Sequence, residues 1–289
     1  MWHGHSSLSP LAAISAHANH YLEHVAPSLE RRVTEISELP WSEQEILDVG
    51  CGYSYPVVAA LKANVRRIAG VDLCTFWRDG WIAAYHALQP TRGPRGLFAC
   101  LGRHFAASLL FREYRRAGIA IEHASYDLQR YEGRTLPFDD ASFTCVISNS
   151  VLQYVPDLDT LARENARVLR PGGIVDHRWH NPFSVLGNLR NERLSLAIPW
   201  GHLTGELPRR PDIHLHTPED IRQAFSRHLE VVGLYRGDTS YRVFGEDPAF
   251  EEERADLYDQ ALARSPALRA HPRELLVTRG YFIQLRKPA

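Results

Sequence analysis

The stretch "EILDVGCGYSYPVVAAL", residues 45–61, runs from a short apolar segment through two glycines into a helical pattern that begins at Pro56. A strand that ends in Gly-x-Gly before a helix brings backbone N–H groups and a helix N-terminus close to a ligand. Proline suits the first turn of a helix, where its missing N–H is not needed. The stretch therefore predicts a strand, a ligand-binding loop and a helix.

The spacing of these glycines disfavours a dinucleotide cofactor. A GxGxxG fingerprint would place glycines at positions 50, 52 and 55, but Tyr55 occupies the third position. Asp48 lies two residues before the first glycine, and Asp72 ends the next predicted strand. An acid at the end of the second strand is well placed to accept hydrogen bonds from ribose hydroxyls.

Short apolar blocks alternate with helical stretches along the rest of the chain, which is the pattern of parallel strands buried between helices. Five successive strands are predicted over residues 45–50, 67–73, 119–125, 143–150 and 173–180, and two late strands over 230–237 and 275–285. Three stretches exceed this alternation. We expect a helical cap in residues 1–44, a helical insertion in 74–118 and a lid over the substrate in 181–216, within one domain spanning 1–289.

Composition excludes several classes of partner. The formal net charge is -1 and the pI is near 7.0, so no basic surface suggests nucleic acid or an anionic membrane. The four cysteines are scattered, which suits a reducing compartment and disfavours a thiolate zinc site. Neither a signal peptide nor an apolar run of about 20 residues is evident, so we expect a cytoplasmic protein that acts on a small molecule.

Four motifs occur in order: "LDVGCG" (47–52), "GVD" (70–72), "LPFDDASF" (136–143) and "VLRPGG" (168–173). In this the sequence resembles the class I S-adenosylmethionine (SAM)-dependent methyltransferases, over about residues 45–180. The resemblance implies a Rossmann-like, mostly parallel seven-stranded sheet with an antiparallel last strand. It also implies SAM as the cofactor and S-adenosylhomocysteine (SAH) as the product.

The resemblance also assigns cofactor-binding residues. Asp48 and the backbones of Gly50 and Gly52 would face the methionine part of SAM, while Asp72 and Leu73 would lie at the ribose. Asp127 and Leu128 would lie beside adenine, with Glu132 as a rival for that role; Asp127 is favoured because it directly follows a predicted strand. The remaining candidates are Ser54, which replaces the family's third glycine and whose hydroxyl could reach the SAM carboxylate, and Asn149 at the end of the fourth strand. A degenerate pocket that no longer binds SAM is the alternative.

Two aromatic segments are further candidates for the pocket. His17, His20, Tyr21 and His24 share one helical face, and we expect Tyr21 to line the site, although a solvent-facing surface is the alternative. Phe76 and Trp77 follow Asp72 closely and would pack near adenine or in the core.

Histidines supply the candidate catalytic bases. Alternation along the fifth strand places His177 and Trp179 on one face and Asp176, Arg178 and His180 on the other. His180 ends the strand, and His202 and His214 lie in the predicted lid. Histidine suits proton removal near neutral pH. The spacing does not favour a metal site, and none is expected.

The sequence therefore predicts SAM-dependent methyl transfer to a small molecule, most simply to a hydroxyl oxygen because histidines crowd the presumed lid. An N- or C-methyltransferase of the same fold is one alternative. A non-catalytic protein that binds SAM or a partner is another.

Overall fold

The computed structural model of the chain describes residue 19 and residues 21–52, 55–73, 96–119, 125–187, 192–237 and 257–289. Its seven strands are β1 (Glu45–Val49), β2 (Arg67–Asp72), β3 (Asp127–Arg130), β4 (Phe143–Asn149), β5 (Leu169–His180), β6 (Glu230–Gly237) and β7 (Gly280–Arg286). They form one sheet in the order β3-β2-β1-β4-β5-β7-β6. The pairs among β1 to β5 are parallel, and β7 is antiparallel to both β5 and β6. The predicted α/β sheet with an antiparallel last strand is confirmed.

Helices cover both faces of this sheet. They are α1 (Ala26–Ile36), which follows a π-helical turn over Tyr21–Val25, α2 (Pro56–Leu61), α3 (Gly96–Arg116), α4 (Leu158–Val168), α5 (Glu192–Ala197), α6 (Gly201–Thr204), α7 (Pro218–Ser226), α8 (257–264) and α9 (Arg273–Val277). Apolar side chains of α1, α2 and α3 form the core on one face, and those of α4, α7, α8 and α9 form the core on the other. Within the described part of the chain, no helix combines the length and apolarity needed to cross a membrane.

Capping side chains explain where two of these helices begin. The Asp157 carboxylate accepts the backbone N–H of Thr160 at 3.0 Å and starts α4. Thr217 and Asp220 form a reciprocal capping box at the start of α7. Such caps satisfy N–H groups that have no partner inside the helix, so the local sequence fixes these boundaries.

The third strand is not where the sequence predicted it. The strand that pairs with β2 is Asp127–Arg130, with Ala69 opposite Asp127 and Asp72 opposite Arg130. Of the predicted segment 119–125, residues 120–124 lie outside the described residues. The prediction that the strand ends before Asp127 is wrong, because Asp127 begins β3.

The last predicted strand, 275–285, is divided in two. Leu275 and Leu276 belong to α9 and are buried, and the strand begins only at Gly280. The Thr278 hydroxyl donates to the Glu274 carbonyl at 2.7 Å, which closes the last helical turn before β7. A run of three apolar residues fits either a helix or a strand, so periodicity could not separate the two.

The order of the strands creates a crevice at one edge of the sheet. The chain passes from β3, at one side of the sheet, back to β4 beside β1. Ligands of open α/β sheets bind outside the carboxyl ends of the strands at such a switch point. The ends of β1 and β4 are therefore where a site is expected.

Candidate active site

The loop after β1 is fastened to the end of β2. The backbone N–H groups of Gly50 and Cys51 both donate to the Val71 carbonyl, at 2.7 and 3.0 Å. The Gly52 N–H donates to Oδ2 of Asp72 at 3.0 Å. The glycine loop and the acid at the end of the second strand, which the sequence singled out separately, are therefore in direct contact.

The two glycines of this loop serve different purposes. Gly50 has φ 76°, and a Cβ there would lie 2.3 Å from Cγ2 of Val151, which follows β4. Gly52 has φ 77°, and a Cβ there would meet nothing within 4 Å among the described residues. Gly50 thus allows β1 and β4 to meet closely, whereas Gly52 leaves an accessible backbone beside Asp72.

Two carboxylates lie at the base of this loop. Asp48 is buried in β1, on the same face as Ile46, and Asp72 ends β2. Burial, followed by the negative charge of Asp72, raises the pKa of Asp48 to about 8. Asp48 is therefore mostly protonated at neutral pH until a cationic group approaches it.

The donors and acceptors at the loop fit the cofactor that the resemblance implies. Asp72 offers carboxylate oxygens to a ribose diol, and the open backbone at Gly52 allows the close approach of a ligand. Leu73 follows Asp72 and is 40% exposed. Tyr21 is partly buried against the core that α1, α2 and α3 form on one face of the sheet. Ser54, His17, His20, Phe76 and Trp77 lie outside the described residues, and His24 is exposed.

Asp127 lies at the opposite edge of the sheet from this loop. It begins β3, and its Oδ2 pairs with Nη2 of Arg67, the first residue of β2, at 2.7 Å. Leu128 is buried inside the sheet opposite Gly70. The prediction that Asp127 follows the third strand is wrong, because Asp127 begins that strand. The role of Asp127 and Leu128 beside adenine stays a prediction. The rival residue, Glu132, follows the end of β3 and pairs with Arg130 at 2.7 Å.

A tight turn follows β4 at the other side of the crevice. Asn149 ends the strand, and Ser150 adopts the left-handed conformation with φ 61° while its N–H donates to the Arg178 carbonyl at 2.9 Å. The Ser150 hydroxyl donates to Oδ1 of Asn149 at 3.3 Å, and the buried Gln153 amide donates to the Ser150 carbonyl at 2.9 Å. Asn149 thus lies at the carboxyl edge with its amide oxygen already engaged.

The three candidate bases occupy different surroundings. His180 ends β5 opposite Gly280 and is partly buried at the carboxyl edge. His202 is 4% exposed, and its Nε2–H donates to the Pro182 carbonyl at 3.0 Å. Burial lowers the pKa of His202, so its remaining nitrogen is a neutral base enclosed in the protein. His202 is poorly placed to reach an acceptor.

His214 lies against the turn that follows β4. Its backbone N–H donates to the Gln153 carbonyl at 2.9 Å, and its ring stacks on that of His216 with centroids 5.6 Å apart. The Nε2–H of His216 donates to the Val155 carbonyl at 2.8 Å. Partial burial, then the neighbouring His216, lowers the pKa of His214, so its ring is neutral at pH 7. The structure thus brings the carboxyl edge, His180 and His214 into one region of the sheet.

A buried ion pair behind β5 was not foreseen from the sequence. Nε and Nη2 of Arg32 each donate to Asp176, at 2.9 Å, and both side chains are less than 5% exposed. Arg32 holds the pKa of Asp176 below its ordinary value despite burial, which acts in the opposite direction. Arg178 lies on the same face, with its guanidinium 5.6 Å from the Phe282 ring centroid. The only sequence signal was an arginine between the apolar positions Leu29 and Val33 of α1.

The predicted alternation along β5 holds for its buried side chains. His177 packs against Phe225 of α7 on one face, while Asp176 meets α1 on the other. Burial lowers the pKa of His177 to about 3, so it is a neutral core residue. Among the described residues, no three side chains of the metal-ligating types are grouped closely enough to hold an ion.

Comparison with known proteins identifies one family domain. A family model described as a methyltransferase domain matches residues 104–175, which include the "LPFDDASF" and "VLRPGG" motifs. This match confirms the resemblance to methyltransferases over that segment. The "LDVGCG" and "GVD" motifs lie before it.

Curated relatives match in part. A demethylmenaquinone methyltransferase from Mycolicibacterium gilvum is 33% identical over 105 residues, 34% of this chain and 45% of that protein. A malonyl-[acyl-carrier protein] O-methyltransferase from Halorhodospira halophila is 37% identical over 90 residues, 26% of this chain and 30% of that protein. The matches span less than half the length of these relatives. Among solved structures, a putative methyltransferase from Bacillus halodurans is 16% identical with a TM-score of 0.49, covering 90% of this chain and 98% of its own.

Proposed function

We propose that this chain, in which a methyltransferase domain model matches residues 104–175, binds SAM at the crevice between β1 and β4 and transfers its methyl group to a small molecule. The observation that carries the proposal is the hydrogen bond from the Gly52 N–H to Asp72. It joins the loop after β1, which borders the switch point of the sheet, to a carboxylate at the end of β2, where a ribose-containing ligand would bind.

Each residue of the loop has a role in this proposal. Asp72 accepts hydrogen bonds from the ribose hydroxyls, and the backbones of Gly50 and Gly52 run beside the methionine part. Asp48, neutral before binding, ionises against the cationic methionine part of SAM. We place Glu132 near adenine in preference to Asp127, since it follows β3 at the same edge as Asp72.

Bound SAM would supply a methyl group on a positively charged sulfur. The acceptor would attack the methyl carbon in line with the carbon–sulfur bond, and the sulfur would leave with the bonding electron pair as the thioether of SAH. The protein then has to align the acceptor, exclude water and remove a proton where the acceptor carries one. The relatives named above act, by their names, on a demethylmenaquinone and on a malonyl group, and one is an O-methyltransferase. Both names support an organic acceptor, and the second supports the oxygen acceptor that we propose.

We assign proton removal to His180, with His214 as the second candidate. His180 ends β5 on the same face as Asp176 and Arg178, beside the crevice. His214 lies against the turn after β4, and its neutral ring can take up a proton. His202 is less suited, because its ring is enclosed and bound to the Pro182 carbonyl.

The segment before α7 is proposed to cover the acceptor. Arg210 lies 5.5 Å from the ring centroid of Tyr154, while His214 and His216 bind the carbonyls of Gln153 and Val155. These contacts place the segment along the turn after β4. Of the predicted lid, residues 181–216, this part therefore borders the proposed acceptor site.

The proposal is tested by SAH formation. The purified full chain is incubated with SAM and separate sets of hydroxyl, carboxyl, amine and carbon acceptors, and SAH is quantified against a sample without acceptor. We expect acceptor-dependent SAH formation with an oxygen acceptor. SAM binding without turnover on any set would instead support the non-catalytic alternative, and turnover only with amines or carbon acids would identify an N- or C-methyltransferase.

A further inference from the structure

Tyr55 holds a backbone conformation that is unusual for its residue type. It has φ 32° and ψ 53°, in the left-handed region, at the position immediately before α2. Its N–H donates to the Gly52 carbonyl at 3.2 Å, and its own carbonyl accepts the N–H of Ala59 at 2.9 Å. Such a conformation disfavours residues with a Cβ and persists only where surrounding contacts impose it.

The contacts that impose it lie outside the loop. The Tyr55 side chain is fully buried, and its ring centroid lies 5.1 Å from that of Phe111 in α3 and 5.1 Å from that of Tyr126, which precedes β3. Nζ of Lys62 lies over the Tyr126 ring, 4.4 Å from its centroid. Burial of aromatic rings in contact is favourable, so the cluster offsets the cost of the backbone conformation.

This arrangement links the glycine loop to the helical insertion. Tyr55 is bonded through its backbone to Gly52, and Gly52 is bonded to Asp72. A loss of the ring contact on α3 would release the constraint on Tyr55 and allow the loop to relax away from the end of β2. The shape of the loop thus depends on a helix that comes more than 40 residues later in the chain.

We propose that Tyr55 is a positioning residue that fastens the glycine loop to α3 through Phe111 and thereby sets the affinity for SAM. The inference rests on the proposed function for its ligand. Tyr55 stands where a dinucleotide fingerprint has its third glycine. A glycine would adopt the left-handed conformation without strain, whereas here the buried ring contacts of Tyr55 hold the backbone in it.

The test compares SAM binding by titration in five variants of the full chain. Phe111→Ala and Tyr55→Gly should each weaken binding about tenfold, and the double variant should be no weaker than Tyr55→Gly, because that change already removes the contact with Phe111. Tyr55→Phe keeps the ring and should stay within about twofold of wild type. Phe225→Ala, an equal deletion in the core of the other face, lowers stability and should leave the affinity unchanged.

A second measurement does not depend on SAM. Amide exchange at Gly52 and Ala59 in the free protein should quicken about tenfold in Phe111→Ala and not in Phe225→Ala. If Phe111→Ala does not fold, Phe111→Leu removes the ring with less loss of volume. Unchanged exchange with unchanged affinity in a folded Phe111 variant, or effects that multiply in the double variant, would overturn the inference. A wild-type chain that binds no SAM, with exchange quickened as expected, would overturn the proposed function alone.

Discussion

Asp48 is a buried carboxyl beside the proposed binding site for SAM, a cofactor that carries positive charge. Its pKa of about 8 in the free protein means that it is mostly protonated at pH 7, and a cationic ligand group beside it should lower that pKa. We therefore expect SAM binding at pH 7 to release about one proton per site. Titrations in buffers with different ionisation enthalpies measure this release. Asp48→Asn should remove the buffer dependence, and a wild-type enthalpy that is the same in all buffers would disprove the assignment.

The histidines differ enough in their surroundings to be separated by substitution. His180→Ala should lower the turnover rate by about 10² to 10⁴, the usual contribution of a general base, with SAM affinity near wild type. The rise of the rate with pH that reflects deprotonation of the base should vanish. His202→Gln is the control, since it removes an enclosed ring and should change stability more than turnover. Near-normal turnover in His180→Ala and a large loss in His214→Ala would transfer the role to His214.

For single residues, sequence patterns located those that follow the end of a strand. They did not locate residues whose contacts lie far away in the chain. Asp72 and the two glycines could be located because they stand at fixed positions after strands. Asp127 was misplaced, since its role depended on where a weak strand begins. Arg32 and Tyr55 could not be foreseen, because their partners Asp176 and Phe111 are distant in the chain.

Among the elements, α1 is held to β5 by the Arg32 and Asp176 pair. Arg32→Met should lower the free energy of unfolding by about 3 to 5 kcal/mol, because it leaves a buried carboxylate without its main partner. The control Arg31→Met, at an exposed pair with Glu35, should cost less than about 1 kcal/mol. Denaturant unfolding measures both.

The difference in unfolding free energy between wild type and Arg32→Met should depend on pH with a defined sign. The lowered pKa of Asp176 contributes stability that is present above its unfolded pKa and is lost as the pH falls through its folded value. The gap between wild type and Arg32→Met should therefore narrow in acid, once Asp176 is protonated. A gap that stays constant down to the acid transition would show that Arg32 stabilises the fold through packing instead.

The elements that sequence patterns located best carry their own boundary signals. The capping residues of α4 and α7 are local, and the strands at 45, 67 and 143 are mostly buried on both faces and rich in apolar residues. β3 has four residues and only one of them is buried, so its pattern is weak. The apolar run before β7 was assigned to a strand although its first residues form α9, because a short run fits both elements.

Over the whole molecule, the order of the motifs predicted the sheet. The lengths of the segments between the strands predicted additional covering segments, but not where these lie. The seven strands and the antiparallel β7 agree with the implied fold. That the segment at 210–216 lies along the turn after β4 follows from hydrogen bonds between groups distant in sequence, which no local pattern encodes. The segment at 210–216 is therefore located beside the turn after β4, and its role as a lid stays a proposal.

We propose that SAM binds at the carboxyl edge beside Asp72, and substitutions of two aspartates at opposite edges of the sheet test this together. In equilibrium titrations of the full chain, wild type should bind SAM at one site, and Asp72→Ala should weaken binding by roughly 2 to 4 kcal/mol through the loss of charge-assisted hydrogen bonds. Asp127→Ala should leave the affinity unchanged, because Asp127 pairs with Arg67 at the other edge. A folded Asp72→Ala protein that binds SAM as tightly as wild type, or a weakening in Asp127→Ala instead, would contradict the account.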